Sequence, residues 1–198
     1  MKKFNFKQLK FKKVTVDQLN DKLLLLNLYF TQALIFIIGF VWLLFQKQNV
    51  ISLLTIPEHI TTIFLYAITF TGLAILLNVI ASKLAPEEAN DDGGVNERIF
   101  KNRPIWHLIV LCFIIAFCEE LLFRGAVQYA CGVYWTSVIF SAIHVRYLKH
   151  WIPTGLVFCM SYGLGWIYIE TGSIWTSIIA HFIYDLAMGL YIRFRRES

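Results

Sequence analysis

Long apolar runs, broken by polar residues at a few places, set the pattern of this chain. Runs from about Leu23 to Phe45 and from about His59 to Ala81 each supply the roughly 20 apolar residues that a bilayer-spanning helix needs. Asn78 and the threonines of the second run are placed to bond within or between helices. Beyond a polar stretch from Lys83 to Arg103, a third run goes from Pro104, a favourable first-turn proline, to about Cys131. Gly132 and Tyr134 mark a turn. A short fourth helix, about Tyr134 to His144, reads as a tilted or re-entrant piece, which is allowed where protein or a wet cavity surrounds it. A basic loop from Arg146 to His150 leads to a fifth helix, about Ile152 to Ile169, whose Gly155, Gly163 and Gly165 permit close helix approach. Glu170, Thr171 and Gly172 form a tight turn, and Ser173 caps a sixth helix that ends near Arg193. The pattern predicts an all-α polytopic bundle of about six transmembrane helices.

Composition supports this reading. The chain of 198 residues is 58% hydrophobic and 16% charged, against about 45–50% and about 25% for soluble domains. Its 17 phenylalanines and 6 tryptophans suit lipid-facing and interfacial positions. Four cysteines, Cys112, Cys118, Cys131 and Cys159, lie in apolar segments without a CxxC pair and read as small core residues. The net charge is +5, and the placement of the charge matters more than its sign. With the amino terminus inside, six crossings put sixteen of the 18 Lys and Arg on the inner side, leaving Lys47 outside and Arg124 in the membrane. Five crossings would put the C-terminal arginines outside. Both termini are therefore expected in the cytoplasm of a multi-pass protein. No basic patch falls in a soluble domain, so nucleic acid is not an expected partner. Residues 1–22, with Phe4, Phe6, Leu9 and Phe11 among lysines, suit an anionic leaflet surface or a basic tail. No cleavable leader is expected, because the first apolar run is too long for one. The organisation is a basic segment 1–22, two helices in 23–82, a polar cytoplasmic linker 83–103, and a core in 104–194.

Six ionisable residues sit inside these apolar runs: Glu119, Glu120 and Arg124, then His144, then His181 and Asp185. A charge at the bilayer centre costs about 2.5–3.5 kcal/mol on insertion scales, so three such clusters are expected to meet. Glu120 and Arg124 are four apart and share a helix face, whereas Glu119 lies about 100° further round. One carboxylate is then neutralised by Arg124 and the other is left to act as a general base. The alternative is a purely structural buried network that sets helix register. His181 and Asp185, again four apart, suit a metal ligand pair, a histidine oriented by a carboxylate, or a plain interhelical contact. Together Glu, His, His and Asp can activate a water and stabilise an oxyanion.

These residues carry a resemblance. Glu119-Glu120-Leu-Leu-Phe-Arg124 resembles the EExxxR signature of the CAAX-protease and bacteriocin-processing (CPBP, or Abi) intramembrane protease family. Phe140-Ser-Ala-Ile-His144 is similar to its FxxxH signature, and His181-Phe-Ile-Tyr-Asp185 to its HxxxN/D signature, in the same order and over about residues 104 to 190. The resemblance implies an intramembrane endopeptidase. In it Glu119 and His144 activate water, His181 and residue 185 stabilise the oxyanion, and Glu120 with Arg124 hold the site together. Asp185 departs from the asparagine of the prenyl proteases, and an ionised aspartate does not donate to an oxyanion. It is therefore protonated, or it orients His181, or it binds metal. The resemblance also admits zinc held by Glu119, His144, His181 and Asp185, with the metal-free route favoured. The expected partners are the bilayer and a peptide or membrane-protein substrate, with or without an attached lipid, in a bacterial plasma membrane. A non-catalytic scaffold or bacteriocin-immunity protein, and a proton-relaying transporter, are the competing classes.

Overall fold

A computed structural model describes residues 20–84, 94–101, 103–145 and 147–195. The basic N-terminal segment therefore lies outside the described residues except for 20–22. All the regular structure among the described residues is helical: α1 (Asp21–Phe45), α2 (Val50–Leu54), α3 (Ile60–Leu84), α4 (Val95–Phe100), α5 (Ile105–Glu120), a π-helical segment (Leu121–Val127), α6 (Gln128–Ile143), α7 (Trp151–Thr171) and α8 (Ile174–Phe194). Among the described residues, five stretches are long and apolar enough to cross a membrane: 21–45, 60–84, 105–143, 151–171 and 174–194.

The third stretch holds both the third and the fourth of the expected helices. At Gly132 the backbone takes φ 76 and ψ 172 and leaves the helix, a conformation that only glycine adopts without strain. The chain reverses there, because Phe140 returns to pack on Phe123 with ring centroids 4.8 Å apart. The returning arm, residues 133–143, is roughly 16 Å long at 1.5 Å per residue, about half a hydrocarbon slab. The loop behind it reaches α4: Asn96 donates to the Tyr147 hydroxyl at 3.2 Å.

Contacts across the bundle place its loops at two ends. Arg98 pairs with Asp21, and Arg193 donates to the carbonyls of Lys101 and Arg103. The start of α1, all of α4, the Tyr147 loop and the end of α8 therefore share one end. At the other end Trp175 donates to the Leu54 carbonyl at 2.9 Å, and His59 bonds the Thr171 carbonyl at 3.3 Å. Lys22, Arg98, Lys101, Arg103, Lys149, Arg193 and Arg195 gather at the first end, whereas Lys47 is at the second.

The layers follow from what each helix buries. α1 buries Gln32, Gly39 and Leu43, a single stripe, and α3 buries Ile63, Ala67 and Thr71. Their other faces carry large apolar side chains outward, as lipid contact requires. α8 packs on α5, α3 and α7, and α6 packs on α7 and the π segment. Asn78 donates to the Met188 sulfur and Thr71 to the Ala180 carbonyl, the interhelical bonds anticipated for the second run. Ser173 caps α8, and Gly172 ends α7 in a left-handed conformation.

Three expectations need correction. The polar linker 83–103 is partly folded: α4 buries Ile99 and sets Phe100 against Gly189, because two apolar residues among the charges suffice to dock one helical turn and a half on α8. Cys131 and Cys159 are exposed, while Cys112 and Cys118 are buried; in lipid an apolar residue has no need to face inward. Gly155 has open space where a side chain would stand, whereas Gly163 and Gly165 lie directly against Phe70 and Gln128.

The closest seam joins α1 to the π segment. A Cβ on Gly39 would stand 3.0 Å from the Leu122 backbone, so a side chain there forces the helices apart. Overpacking of this kind costs about 1–3 kcal/mol. Gly39→Leu is expected to lower the thermal midpoint of the purified protein in detergent, whereas Gly155→Leu leaves it unchanged.

Candidate active site

The π segment is the local device that arranges the polar residues. Its wider, i→i+5 bonded turns are found mostly at functional positions in helices. Its carbonyls are met from the α1–α2 connection: Gln46 donates to the Ala126 carbonyl at 2.9 Å and Gln48 to the Gly125 carbonyl at 3.1 Å. The segment begins immediately after Glu119 and Glu120 and contains Arg124, which is wholly buried along with Glu120.

Glu120 is the centre of the cluster. One carboxylate oxygen accepts from Arg124 Nε at 2.7 Å, and the other accepts from His181 Nδ1 at 2.9 Å. Arg124 also donates to Ser161 Oγ of α7 at 3.2 Å, and its guanidinium lies 5.7 Å from the centre of the Phe140 ring. Its Nη2 has no hydrogen-bond partner. The sequence assigned Glu120 to Arg124 alone; the structure adds His181, on a helix that sequence spacing does not connect to it. The far nitrogen of His181 lies 3.5 Å from Asp185 Oδ2, one turn along α8.

Glu119 points elsewhere, as its 100° offset requires. Gln32 of α1 donates to its Oε1 at 3.3 Å. His144, at the end of α6, bonds the Phe140 carbonyl through Nδ1 at 2.7 Å. In the neutral ring that bond places the proton on Nδ1 and the lone pair on Nε2. Phe140 is the common wall of the site, in edge contact with His181 at 6.5 Å and stacked at a tilt on His144 at 4.5 Å. Asp185 is within electrostatic reach of His181, Glu119, His144 and Glu120. All six predicted residues therefore converge. His181 lies seven residues into α8, roughly 10 Å from the end of the helix, well inside the apolar span.

Two site residues were invisible to sequence reasoning. The first two helices carried no recognised signature, yet α1 supplies Gln32. Its signal was a polar side chain in an apolar run, one shared with Asn27 and Thr31. Ser161 had no signal beyond being a small polar residue in an apolar helix.

With this geometry in place, similarity to known proteins identifies the family. A family model for Type II CAAX prenyl endopeptidase Rce1-like proteins matches residues 101–187. The uncharacterized protein YpbD of Bacillus subtilis (strain 168) is 40% identical over 129 residues, 65% of this chain and 68% of that protein. The chain belongs to the Rce1-like CAAX protease family. No solved structure matches it. The family membership places this chain in a membrane protease family, and the apolar helices independently fit a multi-pass membrane protein. The family-matched segment contains all six ionisable residues, whereas Gln32 lies outside it.

Among the described residues, no three His, Cys, Asp or Glu side chains gather around a point that suits a metal ion. The four residues considered as zinc ligands do not share a centre. The Nδ1 of His181 is engaged by Glu120, the Nδ1 of His144 by a carbonyl, and one oxygen of Glu119 by Gln32, contacts of the kind that also orient ligating side chains.

Removing one partner of a buried ion pair strands the other and costs about 3–5 kcal/mol. Arg124→Met and Glu120→Leu are each expected to lower the yield and thermal midpoint of the detergent-solubilised protein severely. The double substitution recovers much of the loss. Loss in the single variants no greater than in Ser161→Ala would overturn the central role given to the pair.

Proposed function

We propose that this Rce1-like CAAX protease family member is an intramembrane endopeptidase that hydrolyses a peptide bond with a water activated by Glu119 and His144. The observation that carries this reading is the division of two adjacent carboxylates. Glu120 is consumed by Arg124 and His181. Glu119 is turned toward Gln32, with His181 and Asp185 within electrostatic reach. A carboxylate so placed can accept a proton from water as the oxygen attacks the scissile carbonyl carbon. A C–O bond forms and the carbonyl π electrons move to the oxygen. The proton then passes to the leaving amine as the C–N bond breaks.

His181 and Asp185 are assigned to the oxyanion. The imidazole lies between two carboxyl groups, Glu120 at Nδ1 and Asp185 at Nε2. A neutral imidazole donates from one nitrogen only. One further proton on the His181–Asp185 pair, on the ring or on the aspartic acid, would satisfy both flanking carboxyl groups. That shared proton answers the departure from asparagine at position 185: the pair has a hydrogen to offer to the developing negative charge. Glu120 and Arg124 fix His181 and touch no reacting atom.

The depth of the site favours a membrane-associated substrate, a peptide or membrane protein presented in extended form, with or without a lipid. The gathering of basic side chains at one end supports that end as the cytoplasmic one, in a membrane read as the bacterial plasma membrane. In a chain whose four native cysteines are replaced by alanine, Lys149→Cys is expected to react with an impermeant maleimide only after permeabilisation. Lys47→Cys is expected to react in intact cells. The opposite labelling pattern inverts the assignment.

The activity is tested with purified protein in liposomes and a quenched library of lipidated peptides. Glu119→Gln and His144→Ala are each expected to lower cleavage by at least about 100-fold, the lower range for general-base contributions, while still inserting. Cleavage that persists in a zinc chelator supports water activation by Glu119. Cleavage abolished by the chelator and restored by zinc assigns Glu119, His144, His181 and Asp185 to a metal. A folded wild type that cleaves no member of the library, or full activity in Glu119→Gln, favours the scaffold or immunity role.

A further inference from the structure

Gln32 is the one polar side chain that α1 buries. The helix is otherwise turned to lipid, and its few inward residues form one stripe: Gln32, then Gly39 two turns on, then Leu43. Gly39 is in backbone contact with Leu122, and Leu43 packs with Leu121 and Ala126. The lower half of the stripe thus fixes how deep α1 sits along the π segment, and the register delivers Gln32 to Glu119. Thr31, beside it, is exposed and bonds its own helix at the Asn27 carbonyl. Gln32 reaches across to Glu119.

The amide is half used. Nε2 donates to Glu119 Oε1 at 3.3 Å, while Oε1 is buried without a hydrogen-bond partner. A buried acceptor with no partner costs about 1–3 kcal/mol, so one that persists next to a candidate general base asks for a donor. A water on Glu119 has two hydrogens. Glu119 takes one, and an acceptor is wanted for the other if the oxygen lone pair is to be held toward the carbonyl carbon.

We propose that Gln32 positions the reaction from α1: its Nε2 sets the Glu119 carboxylate, and its Oε1 accepts the second hydrogen of the attacking water without removing it. This rests on the protease reading above and adds to it a residue from outside the family-matched segment. A mere docking bond between helices would affect stability and leave turnover per folded molecule intact. The positioning role affects turnover.

The test compares wild type, Glu119→Gln, Gln32→Met and Gln32→Glu in liposomes, with the best peptide from the quenched library. Methionine keeps the shape and removes donor and acceptor; glutamate keeps the shape and an acceptor but sets a second carboxylate against Glu119. The expected result for Gln32→Met is a fall in kcat of about 10- to 100-fold, the scale of a mispositioned reacting group. Its KM stays within about threefold and its thermal midpoint close to that of wild type. Gln32→Glu is expected to lose kcat as well, which supports the role should the methionine variant fold poorly. Wild-type kcat in either folded variant beside an inactive Glu119→Gln overturns the role of Gln32 and leaves the protease reading standing. Full activity in Glu119→Gln, or no cleavage by wild type, overturns both.

Discussion

The buried pairing of Glu120 with Arg124 is the constraint on which the rest of this bundle depends. A guanidinium at membrane depth has no water to turn to, and its stability there requires a partner and further acceptors. Glu120 supplies the first at 2.7 Å and Ser161 of α7 adds another contact. The second oxygen of Glu120 then reaches His181 on α8. One carboxylate thereby ties the π segment to the helix opposite, and Ser161 ties it to the next. The polar cluster is both the most expensive feature of the fold and the means by which three helices find their register.

The same economy separates structure from chemistry. Glu120 is engaged by Arg124 and His181 and Glu119 is met by Gln32, so in the proposed reading Glu119 is the carboxylate that faces the reacting side. Phe140 walls the space between His144, His181 and Arg124, so the aromatic residue of the second signature has a physical task of its own. Outer helices complete the arrangement. α1 contributes an amide and α3 contributes small residues that let α7 and α8 close behind the site, with Ala67 packed against Leu164, Ile167 and Ala180.

Membrane burial alters the meaning of several sequence signals. In water an apolar cysteine in a helix is a core residue; here Cys131 and Cys159 face outward at no cost because lipid is equally apolar. A stretch of mixed charge reads as a solvated linker, yet Ile99 and Phe100 are enough to dock part of it against Gly189. A glycine in a helix marks a close approach at Gly163 and Gly165 and marks nothing at Gly155. These differences share a cause: hydropathy states what a segment avoids, and says little about which neighbour it meets.

The sequence by itself determined the all-helical membrane class, the reversal at Gly132, the caps of the last helix and the six ionisable residues. Each of these is local: an apolar run of sufficient length, a residue free to take a positive φ, or a charge that lipid will not tolerate alone. The i,i+4 spacing also determined that Glu120 meets Arg124 and that Glu119 does not. Only the tertiary structure decided that Glu120 holds His181 across 61 residues, that Gln32 meets Glu119 across 87, and that Ser161 rather than another small polar residue supports Arg124. Those bonds depend on the depth and rotation of one helix against another, which the packing of Gly39 on Leu122 and of Phe140 on Phe123 sets, and no local pattern encodes.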